Sequence, residues 1–272
     1  MPSRQEQLTS QAYVLYSKPY QENSLILDVL SRENGRIQLL AKGVKKSKKG
    51  LSFALQPFRT LQIKYLLKSN LSILVDAEII ENNDKPFKDN KVLYSAYYLN
   101  ELLIRLLPSH EEVASIFSLY QQTIQSLKEF SLYEHAIVKS ELCLRLFELK
   151  LLNQIGYEVD LQTSALTAKQ IESDLNYVYI ENIGFVSTLE LEHPSFNQQN
   201  TIVLSGKTRG ECLIKLGQEE QDFFQDNLIC RQQIKQLLRN ILHLHLGEKP
   251  LKTRELYQQL FVKNKITIHK SN

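Results

Sequence analysis

The sequence predicts an α+β protein in which a small β-barrel is followed by an α-helical domain. Two observations carry this prediction. Short runs rich in β-branched or aromatic residues occupy positions 1–80, and the hydrophobic period becomes helical from residue 87. The chain has 272 residues, of which 43% are apolar and 23% are charged. It is therefore long enough to bury a core in one large domain or in two to three small ones.

Five segments within the first 80 residues have the composition and the turn signals of β-strands. They are 11–17, 24–31, 36–43, 58–67 and 71–80. Asn34-Gly35 predicts a tight hairpin between the second and third segments, because the favoured two-residue turn needs a positive φ at both central positions. Five strands with one long loop, 43–57, fit a Greek-key barrel of the oligonucleotide-binding (OB) type better than a sandwich. An SH3-like barrel is the alternative.

From residue 87 the apolar residues recur with the period of amphipathic helices. Helices are predicted at 88–107, 111–129, 132–155, 208–216, 219–228, 230–246 and 253–262. The stretch 158–200 loses this period, and its runs "YVYI" and "GFVS" predict a hairpin, Tyr177–Ile180 and Phe185–Ser187, in an irregular insert. We therefore expect a DNA-binding OB domain at 1–80, a first helical part at 81–157, the insert at 158–204 and a second helical part at 205–272.

The charge is distributed unevenly along the chain, although the net charge is only +3. Residues 1–80 carry 12 basic and 6 acidic side chains, 81–204 carry 9 and 17, and 205–272 carry 12 and 7. A polyanion is bound through summed phosphate contacts. The basic first and last segments are therefore candidate nucleic-acid surfaces, and the acidic middle is a poor one.

The stretch "AKGVKKSKKG" concentrates like charge on one predicted loop of the barrel. Its lysines and the basic residues around it form the first candidate DNA-binding set: Arg36, Lys42, Lys45, Lys46, Lys48, Lys49, Arg59, Lys64 and Lys68. Flexible lysines contact phosphates and leave base edges free. Phe53, Tyr16 and Tyr65 offer faces on which bases could stack, but the two tyrosines could equally belong to the barrel core. A solvated loop tip is the alternative for the lysines.

A second basic set lies near the C-terminus. Arg231, Lys235 and Arg239 fall at i, i+4 and i+8, which places them on one side of a predicted helix. Beyond the end of this helix the set continues with Lys249, Lys252 and Arg254. An auxiliary DNA track and a solvated outer face both fit the pattern, and 249–252 could be a structural turn between helices.

Four blocks of the sequence carry a resemblance to a known family: "YQENSLILDVLSRENGRIQLLAKGVKKSKK", "LQPF", "LRLFELKLLNQIGY" and "LHLHLGEKPLKTREL". In this order and spacing the chain resembles the RecO family of bacterial recombination mediators, from about residue 10 to 262. The resemblance implies an OB domain, a helical domain and a task without catalysis. That task is to bind single- and double-stranded DNA, to anneal complementary strands and, with RecR, to help load RecA onto strands coated by single-stranded-DNA-binding protein (SSB).

The resemblance also implies that the helical domain contacts the acidic, apolar C-terminal tail of SSB. A receptor for such a tail needs a cation for the charge and an apolar pocket for the ring. Arg145 lies in "RLFELKLL" on an apolar helix, and it is one of only two arginines in the acidic middle segment. The candidate tail-binding residues are Arg145, Leu142, Leu149 and Arg105. An ion pair of Arg145 with Glu141 or Glu148 is the alternative.

Many RecO-family members carry a four-cysteine zinc site in the insert after "GY". In this chain "EVDLQTSALTAKQ" follows Gly156-Tyr157, and no cysteine occurs from there to Cys212. The ligands of a structural zinc ion are missing. We therefore expect a metal-free hairpin insert and no cofactor.

No enzyme is predicted, because the sequence lacks a complete phosphate-binding loop and any local nucleophile signature. Cys143, Cys212 and Cys230 are widely spaced, which argues for a reducing compartment and against a disulfide framework. With a polar start and no apolar run of bilayer length, we expect a cytoplasmic, nucleoid-associated protein without a membrane or small-molecule partner. One alternative is a protein-binding scaffold that does not contact DNA. A DNA-processing nuclease is disfavoured, because the carboxylates are remote in sequence from the lysine loop.

Overall fold

The structure is a computed structural model of the chain. It describes residues 7–46, 50–68, 71–80, 87–109, 114–133, 136–193, 202–204 and 206–263. The chain divides into two compact units, one comprising Met1–Leu132 with Pro250–Asn272 and the other Tyr133–Lys249. Across the described ranges, none of the helices is both long and apolar enough to cross a bilayer.

Five strands of the first unit close into a barrel. They are β1 (Gln7–Tyr20), β2 (Ser24–Ser31), β3 (Gly35–Ala41), β4 (Leu61–Leu66) and β5 (Ser72–Ile79). Their order is β1-β2-β3-β5-β4, and β1 closes the barrel by pairing with both β2 and β4. The β3–β5 pair is parallel and the other pairs are antiparallel. This topology is that of an OB fold, which confirms the predicted barrel and excludes the SH3-like alternative.

The barrel core follows from the two-residue period of its strands. Along β3, for example, Ile37, Leu39 and Ala41 are fully buried and alternate with partly exposed residues. Tyr65 of β4 also lies in this core, and its hydroxyl donates a hydrogen bond of 2.5 Å to Asn34 Oδ1. Tyr65 is therefore a core residue and not a stacking face for bases, whereas Tyr16 is 54% exposed.

The hairpin between β2 and β3 forms as predicted, but its turn does not. Ser31 pairs with Gly35, so the loop between them contains the three residues 32–34. None of these three has a positive φ, whereas Gly35 has a φ of 59°. The predicted two-residue Asn-Gly turn is wrong. Asn34 instead contributes its side chain to Tyr65 and its N–H to Ser31 Oγ.

Helical segments complete the first unit. A 3₁₀ helix, Val44–Lys46, and α1 (Leu51–Ala54) connect β3 to β4. Two longer helices, α2 (Asn90–Leu106) and α3 (Ala114–Phe130), pack on the barrel. Asn100 of α2 donates to Leu15 O at 2.8 Å and accepts the Tyr120 hydroxyl at 2.6 Å. These buried hydrogen bonds fix both helices against β1.

The chain returns to the first unit at its C-terminal end. There α9 (Lys252–Tyr257) continues into a π-helix, Gln258–Lys263. Glu101 of α2 caps α9, because its carboxylate accepts the backbone N–H groups of Lys252 and Thr253 at 2.8 and 2.9 Å. Such a carboxylate satisfies donors that have no partner within the helix.

The second unit combines helices with a small sheet. Its elements are α4 (Ala136–Gln154), β6 (Asn176–Ile180), β7 (Gly184–Ser187), α5 (Thr188–Leu191), β8 (Thr208–Arg209), α6 (Gly210–Gly217), α7 (Gln221–Asp226) and α8 (Leu228–Leu246). The strands are ordered β7-β6-β8, which confirms the predicted hairpin insert. The end of α4 agrees with the helix predicted at 132–155, and Gly156 follows in the left-handed conformation (φ 89°), where the Tyr157 N–H donates to Leu152 O.

Two cysteines of the second unit are bonded to each other. Cys212 of α6 and Cys230 of α8 form a disulfide and are fully buried. The interpretation that argued against disulfides is therefore wrong for this pair. The two residues are 18 positions apart in sequence, and the packing of the helices brings their Cα atoms to 5.2 Å. Cys143 is a free thiol, and burial raises its pKa to about 12.

Candidate functional sites

Three lysines of the charged loop are exposed where β3 ends. Lys42, Lys45 and Lys46 all face solvent, whereas Val44 between them is 2% exposed and anchors the 3₁₀ helix. The N–H of Lys45 also reaches Asn23 O in the β1–β2 turn, at 3.5 Å. The described part of the loop is thus held beside that turn. Lys48 and Lys49, predicted for the same site, lie outside the described residues.

The β1–β2 turn adds two residues that the sequence reasoning missed. Lys18 is exposed and Tyr20 is 40% exposed, both at the end of β1. The β1–β2 and β4–β5 loops of OB barrels commonly bind oligonucleotides. Lys68 is exposed in the β4–β5 loop, so it belongs to the same set by topology. A lysine and a tyrosine directly before the turn signal "QEN" could have identified this contribution.

Phe53 and Arg59 form a stacked pair in the connection that also carries the loop lysines. The Arg59 Cζ atom lies 3.6 Å from the centroid of the Phe53 ring, and Phe53 is 62% exposed. An aromatic ring with a guanidinium on it offers a flat surface for base stacking beside positive charge. We define the barrel loop surface as Lys18, Tyr20, Lys42, Lys45, Lys46, Phe53, Arg59 and Lys68.

Arg36 and Lys64, two of the predicted DNA-binding residues, lie on strands and not in the loops, and their surroundings differ from each other. Arg36 forms an ion pair of 3.2 Å with Asp28 and donates to Leu107 O at 2.8 Å, and its side chain is 17% exposed. Its guanidinium therefore fastens the end of α2 to β3, and the structure does not bring it into the barrel loop surface. Lys64 is exposed on β4 and stands opposite Asp76 in the ladder with β5.

The predicted basic side of α8 is not uniform. Arg239 is exposed, but Lys235 forms an ion pair of 2.7 Å with Glu141 of α4. Arg231 is only partly exposed. Arg231, Lys235 and Arg239 lie on one helix, as their spacing predicts, but the three side chains have different neighbours.

The basic residues after α8 are partly engaged in the fold. Lys249 and Lys252 are exposed, and the backbone N–H of Lys252 donates to the Glu101 carboxylate that caps α9. Arg254 donates to the Tyr98 hydroxyl at 3.0 Å and lies over the Tyr98 ring, with 5.3 Å between its Cζ and the ring centroid. These contacts tie α9 to α2.

A small pocket of the second unit combines cations with apolar side chains from three helices. It is lined by Glu141, Leu142, Arg145, Phe224, Arg231, Ile234 and Lys235. A second small depression between α4 and α7 shares the lining residues Leu142 and Phe224 with it. We call the seven lining residues the arginine pocket.

Both guanidinium groups of the arginine pocket have N–H groups that are buried without a hydrogen-bond partner among the described residues. These groups are Nε of Arg145 and both Nε and Nη1 of Arg231. Arg145 also forms an ion pair of 2.7 Å with Glu148, as one of the sequence alternatives held. Buried donors without partners are costly. A carboxylate entering the pocket would satisfy them through charge-assisted hydrogen bonds.

The residues predicted for tail contact are only partly brought together. Arg145 and Leu142 meet in the arginine pocket, whereas Leu149 is buried in α4 and is not among the lining residues. Arg105 belongs to the first unit, where it donates to Pro250 O at 3.3 Å. The sequence reasoning missed Phe224 and Ile234. An apolar pair within the charged stretch "QDFFQD" was the available signal for the former.

Comparison with known proteins decides the family. The model for the N-terminal part of recombination protein O matches residues 5–83, and the model for its C-terminal part matches 88–255. The chain belongs to the RecO family. It is 34% identical over 250 residues to the DNA repair protein RecO of Vibrio parahaemolyticus, with 91% of each chain covered. It is also 32% identical over 258 residues to that of Escherichia coli O139:H28, covering 95% of this chain and 97% of the relative.

For a RecO-family chain, the segment after "GY" was expected to differ from the zinc-binding pattern. It forms a loop followed by the β6–β7 hairpin. Glu190 orders this region, since its carboxylate accepts hydrogen bonds from Ser164, Thr167 and the Ser187 N–H. These bonds lower the pKa of Glu190 against the effect of its burial. In the part of the chain that the structure describes, no group of three His, Cys, Asp or Glu side chains is placed to hold a metal ion.

Proposed function

We propose that this RecO-family chain binds single- and double-stranded DNA through the barrel loop surface and anneals complementary strands. We further propose that, with RecR, it helps load RecA onto strands coated by SSB. The observation that carries the DNA-binding proposal is the exposed Phe53 ring, stacked with Arg59 in the same connection as Lys42, Lys45 and Lys46 of an OB barrel. Family membership supports a role in DNA repair.

Annealing imposes two requirements that the barrel loop surface meets. The charge of two backbones must be neutralised, and the base edges must stay free to pair. Exposed lysines contact phosphates without reading sequence. A stacking face such as Phe53 holds a base by its π-surface, which also leaves its edge accessible. A surface that combines the two favours transient, sequence-independent capture of single strands.

We also propose that the arginine pocket binds the SSB tail. This tail is acidic and ends in an apolar aromatic residue with a free carboxylate. Arg145 and Arg231 offer unpaired N–H donors for a carboxylate, and Phe224, Ile234 and Leu142 offer apolar contact for a ring. Lys235 at the rim would add attraction for acidic side chains, at the expense of its pair with Glu141.

Annealing of complementary oligonucleotides, either bare or coated with SSB, tests both the DNA-binding and the tail-binding proposals. Arg231→Gln is the informative variant, because Arg231 forms no ion pair within the described residues and its replacement leaves no buried counter-charge. We expect this variant to anneal bare strands like the parent and to lose annealing of coated strands. Parent protein with SSB that lacks its tail should show the same selective loss. Arg239→Gln, an exposed position on the same helix, is the matched control.

The outcomes separate the two sites. Equal annealing of coated strands by Arg231→Gln and the parent would place the tail elsewhere and leave DNA binding untouched. Failure of the parent to bind or anneal bare strands would reject the DNA-binding proposal and favour the scaffold alternative.

A further inference from the structure

A separate cleft of the second unit takes no part in either proposed site. It is formed by the loop after α4, the β6–β7 hairpin and the last turn of α8, and it has a volume of about 560 Å³. Sites that hold small ligands or a few inserted side chains have volumes of roughly 300 to 1,000 Å³. We call it the acidic cleft, and the lining residues that matter are Tyr157, Glu158, Asp160, Glu181, Ile183 and His245.

The acidic cleft carries negative charge that the fold leaves largely uncompensated. Glu158, Asp160 and Glu181 line it, and no lysine or arginine is among its lining residues. Asp160 is occupied by hydrogen bonds from Gln162 N–H and the Thr163 hydroxyl. Within the described residues, Glu158 and Glu181 form neither an ion pair nor a side-chain hydrogen bond. A cation is therefore attracted to this cleft and a nucleic-acid backbone is repelled.

The cleft also has an ordered aromatic wall. The rings of Tyr157 and His245 are stacked, with centroids 3.6 Å apart and planes inclined by 23°. Burial lowers the pKa of His245, although Glu181 acts in the opposite direction, so the imidazole adds no positive charge at neutral pH. Tyr157 remains 48% exposed, and Ile183 at the hairpin tip is 43% exposed. The wall thus presents a fixed ring and an aliphatic side chain beside carboxylates.

From this combination we infer that the acidic cleft docks a basic, arginine-containing peptide segment of a partner protein. A guanidinium is the group that pairs with a carboxylate and at the same time stacks on an aromatic ring. Glu158 and Glu181 supply the charge and Tyr157 supplies the ring. Ile183 supplies apolar contact for a neighbouring side chain of the segment. A simple cation has no such side chain. A basic peptide is therefore favoured over a small polyamine.

Fluorescence anisotropy with three labelled nonapeptides tests this inference in 150 mM salt, where weak non-specific attraction is screened. The probes are an arginine–leucine peptide, the same peptide with Glu for Arg, and the same peptide with Ser for Leu. The full-length parent is compared with Glu158→Gln/Glu181→Gln. The control is Glu172→Gln/Glu192→Gln, which removes the same charge at exposed positions outside the cleft.

We expect the arginine–leucine peptide to bind the parent, and the cleft variant to bind it at least tenfold more weakly. The control variant should stay within twofold of the parent. Tyr157→Ser should weaken binding as well, whereas the other two peptides should bind poorly to every protein. The inference is overturned if the cleft variant binds like the parent, or if the serine peptide binds as tightly as the leucine peptide. It is also overturned if spermidine displaces the peptide as effectively as unlabelled peptide does, because the cleft would then be a general cation site.

Discussion

Arg145 Nη2 and Glu148 Oε1 lie 2.7 Å apart, one turn from each other on α4, with side chains only 10% and 0% exposed. Arg145 therefore has two roles: it neutralises a buried carboxylate, and it lines the arginine pocket, where its buried Nε–H has no hydrogen-bond partner among the described residues. A mutation at Arg145 therefore changes stability and the pocket together. A mutation at Arg231 changes the pocket alone, and the tail-binding test uses Arg231→Gln for this reason.

Removal of Arg145 is expected to destabilise the protein. Arg145→Ala removes the ion-pair partner of the buried Glu148 carboxylate, and losses of about 3 to 5 kcal/mol are typical when one partner of a buried ion pair is removed. Arg145→Leu/Glu148→Leu should recover most of the loss, because both charges are removed. Urea unfolding measures the free energies. Lys150→Ala breaks the exposed pair with Glu219 and serves as control, with an expected change below about 1 kcal/mol. A single variant as stable as the parent would contradict the assigned pair.

The buried Tyr120 hydroxyl should make the stability of the protein fall at alkaline pH. This residue is fully buried, which raises its pKa well above 10. Below pH 10 the folded and unfolded states both keep the proton, so the full stability is present. As the pH rises beyond 10 the unfolded state releases the proton while the folded state retains it, and stability is lost. Tyr120→Phe, which also loses the bond to Asn100, should be less stable at pH 8 but should fall less steeply. If the free energies of unfolding of the parent and of Tyr120→Phe run parallel from pH 8 to 11, the prediction is contradicted.

The strands and helices could be predicted because their signals are local. The two-residue period of β3 and the helical period of α4 and α8 are contained within the elements themselves. The helix ends predicted at residues 155 and 246 lie next to Gly156 and Gly247, which both have a positive φ, a conformation that glycine adopts without strain. The β2–β3 turn was predicted less well, since Asn34 is placed by Tyr65, a residue 31 positions away.

The sites were harder to predict because they depend on distant residues. The arginine pocket joins Arg145 and Arg231 from two helices, and nothing near either residue in sequence indicates the other. Arg36 carried the charge expected of a DNA contact, but its partner Asp28 is set by strand register. The lysine loop was recognisable because its charge is contiguous in sequence. Sequence patterns therefore predicted clusters along the chain and missed clusters formed by packing.

Thiol counting tests the disulfide between Cys212 and Cys230. Protein purified and denatured without reductant should show one reactive thiol per chain, and reduction should raise this to three. Cys143→Ser should show none before reduction. In the native parent Cys143 should react slowly at pH 8, because its pKa of about 12 leaves little thiolate. Three thiols before reduction would contradict the pairing.

The Phe53 ring should matter for single strands more than for duplexes. Phe53→Ala removes a stacking face, and base–aromatic stacking is worth about 1 to 3 kcal/mol per base, or about 5- to 150-fold in affinity. Duplex binding should change much less, because stacked and paired bases cannot reach the ring. Tyr133→Ala removes a comparably exposed ring from the second unit and is the control. Anisotropy titrations with both DNA forms measure the effect, and an equal loss for both would reject stacking.

The loop lysines should be detectable through the salt dependence of DNA binding. Each phosphate contact to a single strand contributes about 0.7 to the slope of log affinity against log salt concentration, because a condensed counterion is released. Lys45→Ala/Lys46→Ala should therefore flatten the slope by about 1.4 and weaken binding similarly for all sequences. Lys169→Ala/Lys207→Ala removes the same charge from exposed positions in the second unit and should leave the slope nearly unchanged. Titrations of several unrelated oligonucleotides from 50 to 200 mM salt give the slopes. If both double variants flatten the slope equally, the loop acts only through the net charge of the protein, and the barrel loop surface loses its main support.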